Sequence, residues 1–206
     1  MYRNQYLVIE GNIGTGKTTL AREISSAFNF NNILEEFAEN TFLPQFYKNP
    51  DQFAFPLEMS FMAARYKQLK DFFKKHTLTF PVVSDYMFDK SLLFAKSNLR
   101  KEEFLLFSQF FQMLNAGLPN PQLIVFLHKE VPALQKNIKK RGRSYEQQMK
   151  EEYLEKINKA YAGFLSKNKA KKSILYIPTD DLDFVNNKKD LAHILEKIEE
   201  AGIRLK

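Results

Sequence analysis

The sequence predicts an α/β fold, a doubly wound, five-stranded parallel sheet flanked by helices. Three observations predict it. Short apolar runs alternate with helical patterns along the chain. Each run is brief and apolar enough to be buried on both faces, as parallel strands are. A glycine-rich turn, Gly11–Thr18, lies directly between the first run and the first helical stretch.

The first strand is Tyr6–Ile9, which enters that turn, and the first helix, 16–28, leaves it through Thr19-Leu20-Ala21-Arg22-Glu23-Ile24. The second strand is Asn32–Glu35, with a long helical pattern over 52–75 after it. Phe80–Ser84 is the third, followed by a helix over 101–116. Leu123–Leu127 is the fourth, followed by helices over 131–140 and 148–167. Ile174–Ile177 is the fifth, closed by a helix over 188–201 whose first turn holds Asp190, where the helix dipole favours an acid. There is no internal repeat and no low-complexity linker.

Sheets of this kind bind ligands at the carboxyl ends of their strands. Those positions hold, in order, the glycine-rich turn, Glu35-Glu36, Asp85, the basic stretch after the fourth unit, and Asp180-Asp181. The turn reads Gly11-Asn12-Ile13-Gly14-Thr15-Gly16-Lys17-Thr18 and matches G-x-x-x-x-G-K-[ST], the phosphate-binding P-loop. Glycines let successive backbone N–H groups turn inward around an anion. The helix beginning at Gly16 adds its positive end. Lys17 reaches the β- and γ-phosphates, and the Thr18 hydroxyl is a Mg²⁺ ligand.

Composition bounds the rest. At 206 residues the chain reads as one P-loop domain over 1–206 with a lid segment at about 139–150. It is 44% hydrophobic, enough for a substantial core. With no cysteine, disulfides, thiol nucleophiles and cysteine metal sites are excluded. The first strand begins at Tyr6, which leaves no room for a leader peptide and makes the expected location cytoplasmic. No apolar run has transmembrane length, so no membrane association is expected. The formal charge of +7 suits anionic ligands such as nucleotides. The lysines are scattered, with dense runs only at Lys139–Arg143 and Lys167–Lys172, so a solvated surface is favoured over a nucleic-acid partner.

Phosphoryl transfer needs a positioned nucleophile, a metal and neutralised charge. Glu35-Glu36 stands where a general base belongs, Asp85 where a metal-associated acid belongs, and Arg141-Gly142-Arg143 is a phosphate clamp following a helix. The dull readings are a helix cap for Asp85 and a solvated turn for the arginines.

Five stretches together give the chain a resemblance. They are Gly11–Thr18; Glu36; Tyr47-Lys48-Asn49-Pro50-Asp51-Gln52-Phe53-Ala54-Phe55-Pro56-Leu57-Glu58 continuing to Arg65; Asp85 through Phe94-Ala95; and Arg141-Gly142-Arg143-Ser144-Tyr145-Glu146-Gln147 with Glu152-Tyr153-Leu154-Glu155-Lys156. The chain resembles the deoxynucleoside kinases of the deoxycytidine/deoxyguanosine/deoxyadenosine kinase family, a P-loop kinase type with a lid. The resemblance implies ATP as phosphate donor, Mg²⁺ as cofactor and a deoxynucleoside as acceptor. Glu36 would take the proton from the 5′-hydroxyl, with Glu35 as its immediate alternative. Tyr47 and Glu146 would hold the 3′-hydroxyl, and Glu58, Arg65 and Asp89 would stand near the base. Arg141, Arg143 and Lys17 would act on the transferring phosphoryl group. Asp85 with Thr18 would organise Mg²⁺. Thr179, Asp180, Asp181 and Phe184 would line the adenine of ATP.

Two departures from the family pattern matter. The third-strand motif usually reads acid-Arg-Ser, and here it is Asp85-Tyr86-Met87. Either Lys90 or a lid arginine compensates for the missing arginine, or the loop runs differently. The family commonly has glutamine where this chain has Glu58. An ionised carboxylate offers only acceptors, which suits the adjacent N1–H and 2-amino donors of guanine. The rival reading is an ion pair with Arg65, two helical turns along.

Two further signals need weighing. Asn187-Lys188-Lys189-Asp190 spells N-K-x-D, the guanine-reading tetrapeptide of P-loop GTPases, but no D-x-x-G follows Ser84, so it reads as a helix start. Over 101–116, Phe104, Phe107, Phe111 and Leu114 form one apolar stripe and Leu106, Phe110 and Met113 another. One face can pack on the sheet; the other needs a partner, and a homodimer is the simplest solution. The sequence therefore points to a purine-preferring deoxynucleoside kinase. The rival readings are a thymidylate-kinase-like monophosphate kinase and a non-catalytic nucleotide-binding regulator.

Overall fold

The computed structural model describes residues 5–36, 40–75, 80–147 and 149–205. Five strands form one all-parallel sheet in the order β2-β3-β1-β4-β5: β1 Tyr6–Gly11, β2 Asn31–Ile33, β3 Val82–Ser84, β4 Leu123–His128 and β5 Ile174–Pro178. The helices are α1 Lys17–Phe28, α2 Leu43–Lys48, α3 Pro50–Lys75, α4 Asp89–Asn98, α5 Lys101–Asn115, α6 Val131–Arg141, α7 Glu151–Asn168 and α8 Lys188–Glu200, with a 3₁₀ turn at Ser144–Glu146. Gln148, inside the expected lid and at the expected start of the seventh helix, lies outside the described residues.

Alternation along β1 sorts the layers. Leu7 and Ile9 pack with Leu20 and Ile24 of α1 and Ile194 and Ile198 of α8. Tyr6 and Val8 face the other way, toward Met62 and Leu69 of α3 and Phe107 and Phe111 of α5. Phe126 of β4 completes that second layer with Phe94 of α4 and Tyr161 of α7. The sheet is thus covered on both sides, and its central strands bury as parallel strands must.

The edges differ from expectation. Asn32 of β2 is exposed, and Tyr176 of β5 is 50% exposed, because neither edge strand has a neighbour on its outer side. Two helices carry no clear sequence signal. α2 is only six residues long. In α4, Lys90, Ser91, Leu93, Phe94 and Ala95 are all buried, so no polar face marks the helical period. In α5, Phe107 and Phe111 are buried while Leu105, Leu106, Phe110 and Met113 are exposed. The helix therefore has one packed apolar face and one bare one.

Two features hold the sheet's centre to the site. Glu10, fully buried, accepts from the Tyr161 hydroxyl (2.6 Å), the Gly11 N–H (2.9 Å) and the Met87 N–H (3.2 Å), which ties β1 to α7 and to the loop after β3. Gly11, at φ +149°, passes so close to β4 that a Cβ would lie 2.4 Å from the Leu127 carbonyl oxygen. Gly11→Ala must force β1 and β4 apart; we expect a loss of about 2–3 kcal/mol and a fall in Tm of roughly 5–10 °C. Thermal melting by circular dichroism measures this, and an unchanged Tm would contradict the close approach.

Candidate active site

A cleft of about 760 Å³ opens where the carboxyl ends of the central strands meet the helices. Its floor is the glycine-rich turn. Gly16 sits at φ +95°, and a Cβ there would come 2.6 Å from the ring of Phe184, so the turn can close only around a glycine. Lys17 donates to the Asn12 carbonyl at 2.8 Å. Burial, then the charge of Lys90, pushes its ammonium down to about 8, so a phosphate arriving there relieves a desolvated cation. Asn12 is not itself in the cleft: its Nδ2 donates to Leu154 O (2.9 Å) and Asn158 Oδ1 (2.8 Å), which anchors the turn to α7.

The Thr18 hydroxyl donates to Asp85 Oδ2, and Asp85 Oδ1 accepts from the Glu35 N–H at 2.7 Å. That pin fixes which glutamate turns inward. Glu35 is buried, with Oε1 accepting from Arg65 Nε (2.7 Å) and Nη2 (2.6 Å) and Oε2 from Lys90 (2.5 Å). Burial alone would raise its carboxyl, but Arg65 and Lys90 outweigh that and hold it down at about 2. Glu36, expected to be the base, is exposed, and its carboxylate accepts from Gln68 Nε2 at 3.4 Å. Of the adjacent pair it is thus Glu35, and not Glu36, that is buried among cations.

The missing third-strand arginine is also accounted for. Tyr86 is fully buried and donates to Gln68 Oε1 at 2.6 Å, while Lys90 supplies the cation beside the glutamate. Asp89, expected near the base, is outside the cleft. It opens α4 and accepts from Lys172 at 2.9 and 3.0 Å.

Leu57, Phe61, Phe94 and Tyr153 give the inner end of the cleft apolar and aromatic walls. Arg65 lies 5.0 Å over the Phe61 ring, and its Nη1 donates to Ser91 Oγ at 2.9 Å. Glu58 is not hydrogen-bonded to Arg65, whose contacts go to Glu35 and Ser91. Instead Glu58 Oε1 accepts from Asn98 Nδ2 at 2.7 Å, and Oε2 is buried with no hydrogen-bond partner. Burial raises its carboxyl to about 7, against the Asn98 hydrogen bond and the charges of Arg65 and Lys90. Tyr47 lines the same space, kept protonated by burial.

At the outer end, Arg141 Nε and Nη2 donate to Glu146 Oε2 at 3.0 and 2.6 Å, and Arg143 Nη1 to Oε1 at 3.3 Å. All three side chains line the cleft. Of the residues expected around adenine, Asp180 and Phe184 line it. Thr179 does not: it is buried and donates to the His128 carbonyl through N–H (2.9 Å) and hydroxyl (2.7 Å). Asp181 is exposed outside the cleft. Sequence reasoning missed Asn98, Tyr153 and Asn137, the last donating to the Gly14 carbonyl at 2.8 Å. Ser91, Phe94 and Asn98 are spaced as one helical face, a signal usable once α4 is known to be a helix.

Among the described residues no three His, Cys, Asp or Glu side chains cluster to hold a metal. The hard oxygens of Thr18 and Asp85 nevertheless fit Mg²⁺, which is commonly held by one or two protein oxygens together with substrate phosphates.

Comparison with known proteins matches residues 7–202 to the deoxynucleoside kinase family model. The chain is 35% identical over 202 residues to a deoxyguanosine kinase of Bacillus subtilis, covering 95% of this chain and 96% of that one. It is 24% identical to the deoxyadenosine/deoxycytidine kinase of the same organism, covering 95% and 92%. A deoxyadenosine kinase from M. mycoides solved with dCMP and dCDP superposes with a TM-score of 0.83 at 26% identity, covering 95% of this chain and all of that one. The same kinase with dATP gives 0.81, also at 26% identity.

Glu58 makes stability depend on pH. Its folded carboxyl titrates near 7 against 4.5 unfolded, so its contribution is fully present below 4.5 and is lost as pH rises through 7. The loss amounts to about 3 kcal/mol. Glu58→Gln does not titrate, so the Tm of the variant minus that of the parent should grow between those pH values and then level. A gap that stays flat or shrinks would contradict the burial of an unpaired carboxyl.

Proposed function

The chain belongs to the deoxynucleoside kinase family and is a deoxynucleoside kinase, and we propose that it moves the γ-phosphate of ATP to the 5′-hydroxyl of a purine deoxynucleoside, deoxyguanosine ahead of deoxyadenosine. One observation carries this: a single cleft is lined both by the phosphate-binding turn and by Leu57, Phe61, Phe94 and Tyr153, and two cations of that lining, Arg65 and Lys90, hold an ionised Glu35. In this reading Glu35 orients the 5′-hydroxyl and accepts its proton. The new O–P bond forms to the γ-phosphorus as the bridging P–O bond to ADP breaks. A carboxylate held near 2 is a weak base, but the loose transition state of phosphoryl transfer asks mainly for orientation and late proton acceptance. Lys17 and the arginines of the lid, Arg141 and Arg143, meet the charge on the transferring group. Thr18 and Asp85 would hold Mg²⁺, which neutralises phosphate oxygens when bound. Tyr47 and Glu146 take the sugar, and Glu58 reads the base. Asp180 and Phe184 lie on the adenine side. The bare face of α5, with Met113 at 74% exposed, supports a homodimer, and the proposed location is the cytoplasm.

The relatives' names support a purine, and Glu58 is the feature of this chain that favours guanine. A panel of deoxynucleosides and their monophosphates, assayed with ATP and Mg²⁺, tests the reading. We expect transfer to deoxyguanosine above deoxyadenosine and both above the pyrimidines; transfer only to monophosphates would replace it with a monophosphate kinase.

Glu35→Gln should lower kcat by about 10²–10⁴-fold, the usual contribution of a positioned base. ATP affinity should hardly change, since the glycine-rich turn is untouched. Glu36→Gln should behave like the parent. Steady-state kinetics on both variants decides, and the reverse pattern would return the role to Glu36.

A further inference from the structure

Glu58 and Asn98 meet where α3 packs on the end of α4. Asn98 Nδ2 donates to Glu58 Oε1 at 2.7 Å and to the Tyr153 hydroxyl at 3.3 Å. Glu58 is 2% exposed, and its Oε2 has no hydrogen-bond partner although it is buried in the lining of the cleft. The charged and titratable groups around it come from four elements: Arg65 on its own helix, Lys90 on α4, Glu35 beyond β2 and Tyr153 on α7. Arg65 and Lys90 are both engaged with Glu35, so neither hydrogen-bonds Oε2.

The two oxygens of this carboxyl are therefore inequivalent. An amide N–H donates better to a carbonyl oxygen than to a hydroxyl, so a proton on Glu58 resides on Oε2 and not on the oxygen held by Asn98. Ionised, Oε2 is an acceptor; protonated, it is a donor.

We propose that Asn98 is a specificity-determining positioning residue: by holding Oε1 of Glu58 it leaves Oε2 as the atom that reads the purine edge, accepting from guanine N1–H when ionised and donating to adenine N1 when protonated. The inference rests on the purine kinase reading above. The choice between purines then follows the protonation of one buried carboxyl. Because that carboxyl titrates near 7, the choice is sensitive around neutrality. Removing the Asn98 donor takes a hydrogen bond from the ionised form, so the carboxyl titrates higher.

The test is kcat/KM for deoxyguanosine and deoxyadenosine at pH values spanning 7 in the parent, Asn98→Ala and Glu58→Gln. Asn98→Leu, which keeps the number and branching of the side-chain heavy atoms without the amide, takes the place of the alanine variant if that one does not fold. In the parent the guanine-to-adenine ratio should rise about 10-fold or more with pH, as expected when a buried charged acceptor gains or loses its donor. In Glu58→Gln the ratio should be flat. Loss of the Asn98 amide should move the midpoint up by about one pH unit. An equal loss for both substrates with an unmoved midpoint reduces Asn98 to packing and overturns the proposal. A pH-independent ratio in a parent that does phosphorylate deoxynucleosides overturns the inference alone. No transfer to any deoxynucleoside at any pH overturns the kinase reading, and the inference with it.

Discussion

The carboxylate of Asp85 is the joint on which the site depends. It follows β3, and β3 lies between β2 and β1 in the sheet. Only a residue at that strand end can reach both neighbours. One oxygen takes the hydroxyl of Thr18 from the turn after β1, and the other takes the backbone N–H of Glu35 from the segment after β2. The order of strands thus becomes the order of the groups at their ends: glycine-rich turn, Asp85, Glu35. A short polar side chain does this because its two acceptors are fixed at opposite ends of one rigid group. A donor in that place would satisfy neither neighbour.

The second constraint is electrostatic. Glu35, Arg65 and Lys90 are all buried, and isolated charges there would be costly. Their hydrogen bonds make the cluster self-consistent, one carboxylate against two cations with Ser91 satisfying a third guanidinium donor. The excess cation is useful next to a site for polyphosphate. Lys90 also adds to the burial that already destabilises Lys17 as an ammonium. Pairing with Glu35 also occupies Arg65, so Glu58, two turns away on the same helix, is left to Asn98. Two buried acids near Arg65 consequently have opposite fates, one held ionised near 2 and one raised toward 7. Environments that push two carboxyls apart in this way are a recurring feature of sites with divided roles.

Much of this was legible from residues alone. The P-loop, the five strands, the long helix carrying Glu58 and Arg65 and the Arg141-Gly142-Arg143 turn are local patterns, and local patterns survive in sequence. What was not legible depended on direction or on burial. Whether Glu35 or Glu36 turns inward is decided by a backbone hydrogen bond to Asp85, fifty residues away in sequence. Asp89 looks like a site acid because it follows a strand end, yet Lys172 of a distant segment claims it. Thr179 and Asn12 sit within binding segments but face the scaffold, where they tie β5 to β4 and the turn to α7. α4 escaped notice because burial on nearly all sides erased its period, and Asn98 escaped with it.

The cleft is lined by more cations than acids. Lys17, Arg22, Lys136, Lys140, Arg141 and Arg143 all line it, with Arg65, Lys90 and Lys129. The same lining holds Leu57, Phe61, Phe94 and Tyr153, with Glu58 beside them. A cationic, low-dielectric funnel concentrates polyanions and does little for a neutral nucleoside, whose flat base is better held by aromatic faces. Glu35 is paired with Arg65 and Lys90 of the cleft lining, so its own negative charge is offset by theirs. Burying the three charges together gives the chain a glutamate that remains ionised yet carries little field of its own.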